Sequence, residues 1–256
     1  LLKSETDPLY MLMKRVSRFL YKKCDLLAVT SKPFITYLCE THGLNAAKIH
    51  YLPQHGNDAY LSEDFNSVEK SRKHFLFAGN MGRAQDLDTI LKAVFLLKDR
   101  DFVIDFVGTG SEYKHCVEYV KKNKLTHWVK FHGAQKYSDL PYFYSRADAC
   151  LITLKHENAV GLTLPGKVQD YLAVGKPLIG AIDGETERVI QESGCGVCVH
   201  SGDFVGLAGA IRSFLDNPNL YSGCGNKARD YYKANFTQEK TIDKLLSLLS
   251  LCSKRD

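Results

Sequence analysis

Between residues 75 and 215 the chain alternates short apolar runs with segments of helical period, and this alternation limits the fold more than any other feature. A run at 75–78 ends in Gly79 and precedes a helix expected over 87–98. A second at 102–107 ends at Gly108-Thr109-Gly110 and precedes a helix over 111–123. A third, shorter run at 129–131 ends at His132-Gly133 and precedes a short helix near 138–146. Runs at 148–153, 177–181 and 196–199 come next, separated by helices that open near Pro165, span 185–192, and close the series over 204–215. Strands alternating with helices give a parallel sheet, and runs apolar throughout belong to strands covered on both faces. The expected class is α/β, a Rossmann-like parallel sheet of about six strands with helices on both faces. Ligands of such sheets lie at the carboxyl ends of the strands, where Gly79, Gly82, Gly108, Gly110 and Gly133 cluster.

The flanks differ. Residues 10–23 read as a basic amphipathic helix on which Leu12, Val16, Phe19 and Leu20 share one face, with Lys14, Arg15, Lys22 and Lys23 flanking or opposing it. Such a helix can lie on an anionic bilayer or pack its apolar face inside a protein. Residues 26–29 read as a lone strand, 33–42 as a helix, and the polar stretch 57–72 as a linker. The divisions expected are 1–57, 58–225 and 226–256.

Composition narrows the classes of function. With 45% hydrophobic residues in 256, a buried core is available and disorder is excluded as the main state. A formal charge of +5 suits an anionic small ligand or a membrane surface and gives no reason to expect nucleic acid. Eight scattered cysteines fit reduced thiols in a cytoplasmic protein rather than a disulfide scaffold. Cys195-Gly-Val-Cys198 has redox spacing but reads as small buried residues, and no second ligand pair accompanies it for zinc. No apolar run approaches the length needed to cross a membrane, and no signal peptide is expected.

Three stretches carry candidate chemistry. The turn Gly79-Asn80-Met81-Gly82-Arg83-Ala84-Gln85 joins a strand to a helix, where backbone N–H groups suit an anion. It has neither the dinucleotide fingerprint nor the Walker lysine pattern. Gly108-Thr-Gly110 is either a ligand contact or a tight turn. Thr163-Leu164-Pro165-Gly166-Lys167 leads into a helix whose first amides, with Lys167 beside them, would hold a diphosphate. Asp170 lies about one turn on, where it could reach ribose hydroxyls; ordinary solvated charges would look the same.

The residues from Leu164 to Ile179, LPGKVQDYLAVGKPLI, resemble the donor-binding signature of family 4 retaining glycosyltransferases of the GT-B fold. More narrowly, they resemble bacterial enzymes that add amino sugars in surface polysaccharide synthesis. Phe77-Ala-Gly-Asn-Met-Gly82, Phe106-Val-Gly-Thr-Gly-Ser-Glu112, Phe131-His-Gly133, Tyr144-Ser-Arg-Ala-Asp-Ala149 and the run from Gly184 to Gly196 match in order. Cys24 to Ser31 and Lys48 to Pro53 resemble the end of an acceptor domain and the crossing from it. The tail from Ala228 to Leu249 resembles a final helix that packs back onto that domain.

The resemblance implies a nucleotide-diphosphate sugar as ligand, UDP-linked in the first instance. It implies transfer to a lipid-linked or saccharide acceptor with no metal cofactor. The loop from Gly133 to Gln135 would hold the base. Gly79, Asn80, Met81, Gly82, Arg83, Gln85, Gly108, Gly110, Gly133, Gln135, Thr163, Leu164, Lys167 and Asp170 are the donor-binding candidates. Two departures stand out. Of the pair of glutamates that many relatives carry, Asp170 falls at the second and Leu162 at the spacing of the first, with Glu157 out of register. The arginine and lysine that clamp the diphosphate in many relatives are replaced by Asn80 and Gln85, so Arg83 and Lys167 are expected to supply the charge. No catalytic nucleophile or base is named, because acceptor-side residues would come from a missing amino-terminal domain or a partner chain. The cytoplasm, with peripheral contact at the inner membrane face, is the expected location. A nucleotide-sugar-binding subunit without activity and a sugar-nucleotide epimerase are the alternatives.

Overall fold

The computed structural model describes residues 7–65 and 70–253. In chain order the elements are α1 (Pro8–Lys23), β1 (Leu27–Val29), α2 (Pro33–His42), β2 (Ile49–Tyr51), β3 (Lys73–Ala78), α3 (Leu87–Leu96), β4 (Phe102–Val107), α4 (Tyr113–Lys122), β5 (Val129–Gly133), α5 (Leu140–Arg146), β6 (Ala149–Thr153), α6 (Lys167–Val174), β7 (Leu178–Ala181), α7 (Gly184–Ser193), β8 (Gly196–Val199), α8 (Phe204–Asp216), α9 (Cys224–Asn235) and α10 (Gln238–Ser253). They form two compact units, one of 1–54 with 239–256 and one of 55–238.

The larger unit is a six-stranded, all-parallel sheet in the order β5-β4-β3-β6-β7-β8. The chain starts in the middle at β3, winds outward to β5, returns to β6 and winds out the other way. The crevice of a doubly wound sheet opens where that reversal occurs. Period-2 alternation splits each strand between two cores. Phe75 and Phe77 join Phe102, Ile104 and Phe106 under α3, α4 and α8. Leu76 and Ala78 join Cys150, Ile152 and residues of α5, α6, α7 and α9 on the other face. The expected α/β class with helices on both faces is therefore the observed one.

Three expectations need correction. The strand at 27–29 is not alone: it pairs in parallel with β2, Leu27 opposite Ile49 and Val29 opposite Tyr51. The polar stretch 57–72 is not a free linker. It makes a 3-10 turn at Asp58–Leu61, and Tyr60 and Phe65 are buried edge-to-face against each other and against Tyr144. Residues 66–69 of that stretch lie outside the described residues. The segment 226–256 is two helices, not one. Ala228 and Tyr232 of α9 and Phe236 beyond it are buried in the larger unit's core, whereas 239–256 group with 1–54.

In the smaller unit, Asp7 caps α1 by accepting the Leu9 N–H at 2.9 Å, and Pro8 fills the first helical position. Arg18 Nε donates to the His42 carbonyl at 2.6 Å, which ties α1 to the end of α2. Leu12, Val16, Phe19 and Leu20 of α1 are exposed together, at 44–62%. All eight cysteines are unpaired thiols. Burial pushes the Cys195 thiol up to about 11 and that of Cys150 up to about 12, which suits packing rather than redox chemistry.

One contact locks α6 to the sheet. The Tyr171 hydroxyl accepts the Ala78 N–H at 2.8 Å and donates to the Ala78 carbonyl at 3.3 Å, both groups fully enclosed. Removing the hydroxyl strands a buried backbone donor. Tyr171→Phe is expected to lower unfolding free energy by about 1–3 kcal/mol, read from urea denaturation; an unchanged midpoint would mean that the contact contributes nothing.

Candidate functional site

Three consecutive strands, β3, β4 and β5, end in glycines of positive φ: Gly79 (139°), Gly108 (131°) and Gly133 (69°). The ladder continues through them. The Gly79 N–H donates to the Val107 carbonyl at 2.8 Å, and the Gly108 N–H to the Gly133 carbonyl at 2.7 Å. At Gly108 no side chain fits, since a Cβ would lie 2.0 Å from the Gly79 carbonyl oxygen. The turns then stack, with the Met81 N–H on the Thr109 carbonyl at 2.8 Å and the Glu112 N–H on the Met81 carbonyl at 2.9 Å.

Beside these turns lies a cavity of about 290 Å³ lined by Gly79, Asn80, Gly108, Gln135, Lys167 and Asp170 among others. That is at the lower end for small-molecule sites. The structure thus brings together in one hollow six expected positions from four separate stretches of the chain. Gln85 joins them indirectly, its Oε1 accepting from Lys167 Nζ at 2.6 Å. The cavity also takes Ala134, inside the loop expected to hold the base, and Tyr144 and Leu140, which carry no charge that would mark them in sequence. Tyr144 is marked there only as part of a matching stretch.

Lys167 is half-buried at the first position of α6. Its ammonium sits 3.7 Å from the centroid of the Phe77 ring and close to Gly79, whose missing side chain leaves it room. No carboxylate is recorded within ion-pair distance of it among the described residues, and burial pushes it down to about 7. Asp170 lies one turn on. Its Oδ1 accepts the Asn57 N–H at 3.0 Å. Burial raises its pKa despite that bond and the nearby His55. Asp170 also borders a second, wider hollow of about 640 Å³ with His55, Asn57 and Tyr137.

Other expected residues fall elsewhere. Arg83 is exposed and lines a separate hollow of about 80 Å³ with Asp86, Asp88, Glu112 and His115. Met81 and Leu164 are core side chains. Gly110 is a packing glycine, since a Cβ there would meet Met81 backbone and the Asn80 amide at 2.5 Å. Gly82 likewise crowds the Asn80 side chain at 2.9 Å. The Thr163 N–H, expected to face an anion, donates to the Val160 carbonyl at 3.1 Å. The helix expected to open near Pro165 begins at Lys167. Another cleft, about 430 Å³ with Lys73, Lys176 and Arg229, lies by the amino ends of the strands and holds none of the expected residues.

A doubly wound sheet with glycine turns thus carries a half-buried lysine and a half-buried carboxylate beside a cavity at its carboxyl edge. Residues 62–231 match the family described as Glycosyl transferases group 1, and the chain belongs to that family. It is 26% identical over 252 residues to the probable glycosyltransferase WbjE of Pseudomonas aeruginosa, covering 92% of this chain and 60% of that protein. It is 27% identical over 196 residues to the putative colanic acid biosynthesis glycosyl transferase WcaI of Escherichia coli K12, covering 75% and 45%. The chain therefore spans about half the length of these relatives. Among solved structures, Anabaena Alr3699/HepE in complex with UDP superposes with a TM-score of 0.81 at 14% identity, over 97% of this chain and 70% of that one. It has the same fold.

Lys167 yields a pH test that needs no ligand. Its ordinary pKa is 10.5 and its folded one about 7, so between those values the unfolded chain holds a proton that the native one lacks. Native stability therefore rises with pH across that window, and the cost of burying the charge is fully felt below pH 7. Lys167→Met removes this component. Relative to wild type, the variant is expected to gain most stability near pH 6 and least near pH 10 in parallel urea titrations. A constant difference between the two proteins would show that Lys167 does not titrate in this window.

Proposed function

We propose that this chain supplies the donor-binding part of a glycosyltransferase. The transferase moves a sugar, an amino sugar in the first instance, from a UDP-linked donor to a lipid-linked or saccharide acceptor in polysaccharide synthesis. The single observation that carries this reading is the pairing of Lys167 and Asp170, one helical turn apart, in one cavity at the carboxyl ends of β3, β4 and β5. The relative named for colanic acid biosynthesis and the neighbour solved with UDP support the choice of pathway class and nucleotide.

The chemistry is set by these groups. Cleaving the donor leaves a diphosphate whose charge must be met as it develops. In this reading Lys167, released from Gln85, meets that charge at the amino end of α6, where the helix dipole adds to it. The protein's own charge does this work, with no metal. Asp170 accepts ribose hydroxyls, and the turn from Gly133 to Gln135 faces the base. The acceptor wall comes from a further domain or a partner chain, because reaction in such enzymes needs a closed, aligned cleft. Peripheral contact with an anionic bilayer through the exposed face of α1, flanked by Arg15, Lys22 and Lys23, is part of the proposal. Failure of protein that carries the acceptor domain to sediment with anionic vesicles at low salt would remove that part.

Binding is measured by calorimetry with UDP. Lys167→Ala is expected to weaken affinity by about tenfold or more, as charge-assisted contacts do, while Arg83→Ala has little effect. Wild-type binding near pH 8 is expected to take up protons, seen as a heat that varies with buffer ionisation enthalpy, since a bound diphosphate restores the Lys167 charge. Incubation with UDP-sugars and lipid-linked acceptors is expected to give binding without transfer by this chain alone. Unchanged affinity in Lys167→Ala would sink the assignment, and robust transfer by the chain alone would sink the two-part architecture.

A further inference from the structure

Asp105, in the middle of β4, is buried between two histidines on neighbouring strands. His74 Nδ1 of β3 lies 2.5 Å from its Oδ2, and His132 Nε2 of β5 lies 2.7 Å from its Oδ1. Burial alone would raise the Asp105 pKa, yet hydrogen bonds from His74 and His132 hold it below the usual carboxylate range. An ionised carboxylate of this kind is rarely enclosed unless paired and hydrogen-bonded. His132 is half-buried and also meets the Phe143 ring edge-on, 4.9 Å between centroids.

The backbone at His132 is irregular in the same place. Along β4 and β5, Phe106 pairs with Phe131 but Val107 pairs with Gly133, so His132 has no partner and forms a bulge. A bulge bends its strand and re-aims nearby side chains, and bulges are common at sheet edges and next to active sites. The residues beyond this bulge are Gly133, Ala134 and Gln135, of which the last two line the Lys167 cavity. Gln135 hooks back, its Nε2 donating to the His132 carbonyl at 2.6 Å. The His132 residue is thus held by its side chain to Asp105 and by its carbonyl to the turn itself.

We propose that Asp105, acting through the bulged His132, is a positioning residue that sets the turn from Ala134 to Gln135 against the nucleobase and thereby fixes base affinity. This rests on the donor-site reading above and adds to it a base-selecting element outside the cavity lining. Neither residue touches ligand in this account. The diphosphate is held at Lys167 on a different element, so base and diphosphate recognition are separable.

The test uses the 256-residue chain with UDP and inorganic pyrophosphate as probes, and GDP as a further probe of the wild type. His132→Ala is expected to weaken UDP binding by about tenfold and leave pyrophosphate binding unchanged. His132→Gln, whose amide can donate to Asp105 from a similar reach, is expected to restore UDP affinity. Thermal melts of each variant establish that it folds, and Asp105→Asn serves as a second variant if His132→Ala does not. Equal loss for both probes would overturn the proposal in favour of a purely structural role. Unchanged UDP affinity in folded His132→Ala and Asp105→Asn would overturn it too. If wild-type chain binds pyrophosphate but neither UDP nor GDP, the base-site reading itself fails and the proposal falls with it.

Discussion

At the carboxyl edge of the sheet, backbone approaches backbone at a distance that leaves no room for a side chain. A Cβ on Gly108 would stand 2.0 Å from the Gly79 carbonyl oxygen. Both glycines have φ values that L side chains rarely adopt. Because these two turns stack so closely, the sheet's hydrogen-bond ladder runs on past the last strand residues, from Gly79 to Val107 and from Gly108 to Gly133. The rest of the cavity is laid out on that ledge. The end of Lys167 lies over Gly79, where a Cβ would crowd it at 3.1 Å, and Gln135 follows two residues after the third glycine of the series.

Lys167 shows what such a site costs. A lysine beside a phenylalanine ring, with a neutral amide oxygen as its recorded hydrogen-bond partner, is a poor arrangement for stability, and burial drags its pKa to about 7. Helix α6 carries that cost and offsets it elsewhere. Val168, Tyr171 and Leu172 are buried completely, and the Tyr171 hydroxyl is bonded to both backbone groups of Ala78. A strained charge on an otherwise over-anchored helix is the pattern expected where function has set a residue that folding would not choose.

Much of this was legible in residue order. Apolar runs ending in glycine mark the carboxyl ends of parallel strands, because a buried strand must be apolar on both faces and a sharp exit needs positive φ. That logic located β3, β4 and β5 and placed Gly79, Gly108 and Gly133 together. It also placed Lys167 and Asp170 one turn apart. It says less where the deciding fact is which group, near or distant in sequence, the folded chain sets beside a residue. Arg83 looks like a site cation, and the hollow it lines holds Asp86, Asp88 and Glu112 and not Lys167. Thr163 looks like a free amide, but a local turn with Val160 uses it. Polar residues 57–65 look like linker, because two buried aromatics among them make no periodic pattern, and Asn57 gives no hint that it caps Asp170 from 113 positions away. His132 is, in residue order, only one letter of a matching stretch, since a bulge is a property of two strands and cannot be seen in one.

Short helices make the site rigid. Helix α6 has eight residues, little more than two turns, and such a helix is stable only through its packing. Here both its faces are committed. The inner one is sealed against β3 and α9, while Lys167 and Asp170, three residues apart, share the rim of the cavity. The Tyr171 bonds to β3 fix the helix, and with it the backbone positions from which Lys167 and Asp170 reach the cavity. Groups held in that way need little reorganisation when an anion arrives, and it is fixed placement more than the number of charges that makes electrostatic stabilisation effective in an enclosed site. On the proposed reading, the half-buried Lys167 on a locked helix is the cation that meets the diphosphate.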